Sequence, residues 1–420
     1  MNSLFKLLSV SAIAVTSMSL VSCSGDEVKE VYQGDELRFT TQISRATSTT
    51  TESLNEFKVY AEQLGTGGKF FINGEIAKRK EGNVFEFVND RHYWPAGVNT
   101  LRFWAYAPTD VEADMAADAQ SCDFTPLAGL KNPGKDQKDL IVAYTEAHLT
   151  GADGDNIVTG GTVHLKFGHA LSRVTVSARC EDVNWDVKVK GAWIVNAKKD
   201  GKLEFDITSD DHMKWTSYSD NYQSGNLASY GLTLATPTKI THTADNPTFL
   251  IGGDSDNSSL MLVPQKAPAF DFANATDNVT NGAYILLLCR VEVEHDGEFH
   301  PDNNTPDDFT AAVKTDKDRN KHIHLQFPNV TDWSDDAYGY TCIPVAIDWE
   351  PGKSYNYVLK FCGKSSGAGM YPPELPDEFP EATPAPAGKN PGNPVLNDYI
   401  KFDVEVSNWT DAGLEEFPMQ

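Results

Sequence analysis

Most of this chain alternates apolar and polar residues with a period of two, in short runs broken by Gly, Pro and Asn. An α-helix, with its period near 3.6, cannot sort such a pattern onto one face, whereas an extended strand does so directly. In the run Leu37–Ile43 the residues Leu37, Phe39, Thr41 and Ile43 share one face. Runs at 57–63, 69–72, 84–88, 100–106 and 139–144 repeat the pattern. A second series occupies 162–167, 171–178, 187–195, 202–207, 259–264, 284–293, 341–348, 354–361 and 401–406. Only 111–120 (VEADMAADAQ) reads as a helix. So many short strands, punctuated by 31 Gly and 22 Pro, predict an all-β chain built of antiparallel sandwiches.

At 420 residues the chain is long enough for more than one core. The loop at 145–161 (TEAHLTGADGDNIVTGG) is the best boundary, which predicts one sandwich over 46–155 and a second over 156–420. Residues 363–394 are Pro-rich and without periodicity. They are expected to form an exposed excursion inserted before the last strand, which resumes at Lys401.

The first residues form a unit of their own. Lys6 precedes an apolar run from Leu7 to Val21, too short for a comfortable membrane span but suited to a signal-peptide core. The run closes Leu20-Val21-Ser22-Cys23, which resembles the lipobox of bacterial lipoproteins. Small residues there admit the signal peptidase, and the Cys23 thiol accepts the lipid. Residues 1–22 are therefore expected to be a lipoprotein signal peptide, with palmitate on Cys23 holding the chain at the outer membrane; the other reading is an ordinary secretory signal. The acidic pair Asp26-Glu27 resembles an export tag to the outer face, or is a solvated tether.

Sixty acidic against thirty-five basic residues give a net charge of −25. A nucleic-acid partner needs a basic face to displace counterions, so none is expected. Without Cys23, five cysteines remain: Cys122, Cys180, Cys289, Cys342 and Cys362. An odd number cannot all pair, and the spacing contains no CxxC. They are expected mainly as small buried hydrophobes inside strands, with any disulfide pairing left open.

Catalytic and metal constellations are weak. Gly363-Lys364-Ser365-Ser366-Gly367 matches G-x-S-x-G, but a nucleophile elbow needs a helix after the serine and here the sequel is Pro-rich. The Gly-Lys-Ser triplets at Gly352 and Gly363 lack the upstream glycine of a P-loop. His322 and His324 share one face of a strand and would ligate zinc only if a third ligand such as His295 or His300 arrived; a polar stripe is the favoured reading. The acidic loops Asp153-Gly154-Asp155-Asn156 and Asp254-Ser255-Asp256-Asn257 lack EF-hand spacing. No enzyme, metal or cofactor is expected.

Several phrases together resemble the fimbrillin family of lipoprotein-derived pilus subunits. They are His92-Tyr93-Trp94-Pro95, Leu101-Arg102-Phe103-Trp104-Ala105-Tyr106-Ala107-Pro108, Asp139-Leu140 with Ala143, and Leu165 to Val174 (LKFGHALSRV). Leu262-Val263-Pro264-Gln265, Trp349 to Tyr357 (WEPGKSYNY) and Val404-Glu405-Val406-Ser407-Asn408-Trp409 complete the set. The resemblance implies two tandem transthyretin-like antiparallel β-sandwich domains, a location at the cell surface in a fimbrium, other fimbrial subunits as partners and a role in adhesion. It also implies a mechanism: an Arg-specific protease cuts after the first strand, and a neighbouring subunit donates a strand to the groove left behind. Arg45-Ala46 follows Leu37–Ile43 in a Thr/Ser-rich loop, which makes 23–45 the removable lipidated segment; an ordinary exposed arginine is the alternative. Leu37, Phe39 and Ile43 at the front, and Phe402, Val404 and Val406 at the back, are the expected strand-exchange residues.

Anchor subunits of the same family keep lipid and first strand, so a non-polymerising anchor stays open. So does a surface lipoprotein that holds a host or bacterial glycan, with Trp215, Tyr218, Tyr222 and Tyr230 as an exposed stacking platform or, alternatively, as cover for a sandwich end.

Overall fold

The structure is a computed structural model that describes residues 34–43, 54–64, 70–110, 113–115, 121–124, 139–151, 156–205, 212–218, 227–252, 259–273, 282–297, 312–363, 367–396 and 400–408. The described residues contain strands and one short 3-10 turn, Thr216–Tyr218, but no α-helix. The N-terminal strands are β1 (Arg38–Ile43), β2 (Glu56–Gln63), β3 (Phe70–Glu81), β4 (Val84–Phe87) and β5 (Thr100–Ala107). The chain goes on through β6 (Ala113–Met115), β7 (Ser121–Phe124), β8 (Ile141–His148), β9 (Asn156–Ile157) and β10 (Thr162–His169). The stretch 111–120, read as a helix, thus holds strand β6, which pairs with β7. Its Ala and Met residues are good helix formers, but local propensity is a weak determinant that strand pairing overrides.

Seven of these strands close on themselves in the order β1-β4-β3-β2-β5-β8-β10, and β10 returns to pair with β1. This ring is a barrel, where an antiparallel sandwich was expected. The closing pair β1–β10 is parallel, and every other pair in the ring is antiparallel. A small barrel is filled by its inward side chains. Phe39, Phe57, Phe85, Phe103 and Phe167 are all fully buried there, with Leu101, Val163 and Leu165 around them. Because β10 belongs to this ring, the ring runs past residue 155 to His169, while β6 and β7 leave it for a small sheet with residues 203–205 and 213–215.

The C-terminal unit begins with β11 (Ser172–Cys180), β12 (Trp185–Lys198), β13 (Leu203–Phe205), β14 (Met213–Trp215), β15 (Leu227–Lys239) and β16 (Thr248–Ile251). It continues with β17 (Leu260–Leu262), β18 (Gln265–Ala267), β19 (Tyr284–Asp296), β20 (Val313–Asp316) and β21 (Lys321–Phe327). It ends with β22 (Gly339–Pro344), β23 (Ile347–Trp349), β24 (Lys353–Phe361) and β25 (Lys401–Asn408). One sheet runs β16-β11-β24-β25 and the other β15-β12-β19-β21-β20, and their inner faces share one apolar core. Val174, Val176 and Ala178 on β11 and Leu359 on β24 meet Val187, Ile285 and Leu287 from the opposite sheet. The β11–β24 pair is parallel, against the antiparallel expectation.

A third apolar cluster joins the outside of the ring to the C-terminal unit: Tyr60, Trp104 and Tyr106 pack with Leu203, Phe205, Trp215 and Val263. At the same junction the buried His169 Nδ1 lies 2.5 Å from Asp139 Oδ2.

The Pro-rich segment is packed in part rather than wholly exposed. Ala368 and Tyr371 are buried in the core between the two sheets, while Met370, Leu375 and Phe379 pack on the outer face of the second sheet. Phe379 meets Trp193 edge-on at 5.4 Å, Tyr340 Oη donates to Pro380 O at 2.7 Å, and Thr383 N–H donates to Tyr338 O at 2.8 Å. Trp193 can lie across the sheet because its pairing partner is Gly231, where a Cβ would come within 2.1 Å of Ala192 O and 2.8 Å of the indole. Isolated bridges rather than a ladder hold the segment, so its contacts have no period to read.

Candidate assembly site

The strand-exchange reading concerns β1 and β25, and the fold gives them opposite environments. On β1, the pattern read from the sequence is the pattern of burial: Leu37, Phe39, Thr41 and Ile43 are at most 3% exposed. Phe39 is the centre, with Phe57, Phe87 and Phe103 edge-on at 5.4–5.8 Å. Edge-to-face packing of this kind adds to the area effect. Thr41, inward but polar, has its own partner: its hydroxyl donates to Asn83 Oδ1 at 2.9 Å, and Asn83 Nδ2 donates to Thr41 O at 2.6 Å. A buried hydroxyl without such a bond would cost stability.

Backbone pairing holds β1 on both sides. It runs beside β10 from Arg38↔Thr162 to Ile43↔Phe167 and meets β4 at Phe39↔Phe85 and Thr40↔Val84. It is therefore not an edge strand. The chain just before it is gripped as well, since Leu37 N–H donates to His92 O at 2.8 Å and Arg38 N–H to Gly161 O at 2.9 Å. Gly161 sits at φ 74°, and a Cβ there would stand 2.0 Å from Glu36 O, so the approach requires glycine.

At the other end of the chain, β25 pairs with β24 along a ladder from Lys353↔Asn408 to Lys360↔Lys401. Among the described residues its second edge has no strand beside it. Phe402, Val404 and Val406 stand opposite Leu359, Tyr357 and Tyr355, hence on the core side of the sheet. Phe402 is half-buried against Tyr357, but Val404 and Val406 are 40% and 57% exposed. A period-two apolar face is thus buried at Leu37–Ile43 and largely uncovered in β25. Polar contacts on β25 are peripheral: Lys360 with Asp403, and Asn356 Nδ2 donating to Glu405 Oε2 at 3.1 Å. Cys23, Arg45 and Ala46 lie outside the described residues.

The remaining sequence candidates sort differently. Trp215 is buried at the junction, its indole N–H donating to Ala170 O at 2.8 Å, and Tyr230 is buried in the C-terminal core. Neither is an exposed platform, because Trp215 on β14 packs against the apolar outside of the ring and Tyr230 on β15 points between the C-terminal sheets; the Tyr218 side chain and Tyr222 lie outside the described residues. His295, His322 and His324 do come together, with ring centres 5.0–5.4 Å apart. His322 Nδ1 binds Gly297 O at 2.8 Å, and among the described residues no group of three His, Cys, Asp or Glu side chains is arranged to hold a metal. His300 and Ser365 lie outside the described residues.

The three imidazoles have a consequence for acid stability. Burial, followed by repulsion from His322 and His295, pushes His324 down to about 4. The unfolded chain takes up that proton near pH 6.5, so the stabilisation is complete above this pH and is lost as pH falls towards 4. Chemical denaturation at pH 7 and at pH 4.5 should show a loss on the order of 2–3 kcal/mol that His324→Leu removes. An unchanged pH slope in that variant would assign the acid sensitivity to other groups.

A closed ring carrying its first strand inside the core, joined to a two-sheet unit whose last strand lies half-open at an edge, defines a two-part all-β protein without a recognisable catalytic centre among its described residues. The chain belongs to the fimbrillin-like family, whose model matches residues 44–368. The fimbrium subunit Fim1C of Phocaeicola vulgatus is 23% identical over 203 residues, which are 42% of this chain and 53% of that protein. The chain therefore spans about half the length of this curated relative. A crystal structure of a fimbrial protein from Bacteroides vulgatus superposes with a TM-score of 0.50 at 14% identity, covering 90% of this chain and all of the other, and supports the fold.

Proposed function

We propose that this protein is a structural subunit of a cell-surface fimbria with a role in adhesion, not an enzyme. It is exported as a lipoprotein on Cys23, cut after Arg45, and joined to other fimbrial subunits by strand donation. The observation that carries this reading is the contrast between the two strands. The β1 strand fills a core slot and is followed at once by the segment containing Arg45. Removing it would leave an apolar trough and two rows of unpaired backbone groups, a state that demands a replacement strand. The β25 strand offers Phe402, Val404 and Val406 on one face with the period of two that the trough follows, already partly uncovered. Membership of the fimbrillin-like family and the name of the Phocaeicola relative point the same way.

The test is N-terminal sequencing of protein from sheared cell-surface material, beside Arg45→Ala and Cys23→Ala chains. A start at Ala46 in high-mass ladders that Arg45→Ala abolishes is the expected result, with Cys23→Ala failing to fractionate with the outer membrane. Recovery of only intact chain beginning at Cys23, without ladders, would replace polymerisation by an anchoring role.

A further inference from the structure

Cys180 and Cys362 stand at the ends of β11 and β24, the parallel neighbours of the first C-terminal sheet. The register pairs Cys180 with Phe361, and Glu181 N–H donates to Phe361 O at 2.8 Å, so residue 362 lies one step beyond the Cys180 partner. Along β24, Tyr355, Tyr357, Leu359 and Phe361 point into the core. Continued alternation would send residue 362 to the opposite face. Instead Cys362 adopts a φ of 52°, a left-handed conformation uncommon for such a residue, and its side chain turns back into the core that holds Cys180. There the two buried cysteines share one core cluster one register step apart, with the Cys180 thiol donating to Trp185 O at 3.3 Å and Asp182 O at 3.4 Å. Cys289 and Cys342 are not so placed: they lie on paired strands β19 and β22 but belong to the cores on opposite faces of that sheet.

We propose that Cys180 and Cys362 are a disulfide-forming pair, oxidised in the exported protein; the oxidising location rests on the surface reading above, the pairing does not. The bond forms by exchange with an external disulfide, such as that of an envelope thiol oxidase or oxidised glutathione. The Cys180 thiolate attacks one external sulfur, and the Cys362 thiolate then displaces the second. One S–S bond forms as one breaks, and two electrons and two protons end on the external dithiol. With both thiols buried in the finished core, the exchange occurs before the two sheets close. The cross-link ties the first strand of the C-terminal unit to the strand that carries β25, and joins positions far apart in the chain, where closure restricts the unfolded state most.

The purified full-length chain is reduced, unfolded, refolded in a mixture of oxidised and reduced glutathione, quenched, alkylated and peptide-mapped without reductant. A dominant Cys180–Cys362 cross-link is expected, with Cys289 and Cys342 recovered as alkylated thiols. The oxidised chain should melt about 10 °C above the reduced one, and Cys180→Ser should melt with the reduced chain. Separate alkylation of Cys180 and Cys362, or cross-links scattered among all the cysteines, would overturn the pairing whatever the protein's location. Mapping the chain taken from cell-surface material then tests location on its own: the linked peptide there supports oxidation in the exported state, and free thiols there overturn it.

Discussion

Phe39→Ala should cost about 3–5 kcal/mol of the stability of the N-terminal ring, the range for emptying a fully buried aromatic site. Phe39 is 0% exposed and sits edge-on to three other phenylalanines, so the cavity would open where four rings meet. The ring can relax little, because a barrel has no edge along which strands can slide together. Urea unfolding followed through the fluorescence of the buried Trp94 and Trp104 would report the loss, with Thr40→Ala on the outer face as the control, expected within about 0.5 kcal/mol. A cost below about 1 kcal/mol for Phe39→Ala would mean that the slot collapses without its central ring. It would then be unable to wait open for a replacement strand.

Arg290→Ala should be comparably damaging in the C-terminal unit, by a different physics. Arg290 is 2% exposed, its Nε stands 2.7 Å from Glu292 Oε1, and its Nη1 donates to Ser334 O and Asp335 O at 2.9 Å each. The guanidinium also lies over the Trp333 and Tyr338 rings at 5.0 and 5.6 Å. Removing it strands the buried carboxylate of Glu292 with only Lys188, at 2.9 Å, to balance it. Breaking one side of a buried pair in this way costs about 3–5 kcal/mol, far more than an exposed pair is worth. The double variant Arg290→Met with Glu292→Leu should recover much of the loss, because no charge then stays buried unpaired. A double variant no more stable than Arg290→Ala would show that the backbone bonds to Ser334 and Asp335 dominate instead.

Local pattern carried far in this chain. The alternation at Leu37, Phe39, Thr41 and Ile43 corresponds to which side chains are inside, because one-sided burial with period two leaves a readable trace. Ring closure left none. It depends on β1 pairing with β10, Thr40 opposite His164, across 124 positions of sequence, and on a parallel register that no turn residue encodes. The β11–β24 pairing was hidden for the same reason. The packed Pro-rich segment had a weak signal elsewhere: the run Tyr284 to Cys289 is apolar without alternation, as expected of a strand covered on both faces. Phe270 and Phe379 are part of that second cover. At the candidate site, alternation made the one-sided character of β1 and β25 legible, but not their difference in burial, which is set by what lies opposite each strand. Trp215 misled because an aromatic in a polar loop has the same local sequence whether it faces solvent or a neighbouring core.

The parallel direction of β1 beside β10 bears on how a fibre of such subunits would carry load. The C-terminal end of β10 leads directly into the second unit, so tension along the fibre would pull β10 from that end. A donated strand keeping the direction of β1, and coming from the C-terminal region of a neighbour, would be tethered at its own N-terminal end. Two parallel strands pulled from opposite ends slide past one another, and the six residue pairs from Arg38↔Thr162 to Ile43↔Phe167 must give way together. Reversing the donated strand would put both tethers at the same end, and the ladder would peel one rung at a time. Strand direction at this one seam would thus decide whether the joint resists pulling as a lap joint or opens as a zip.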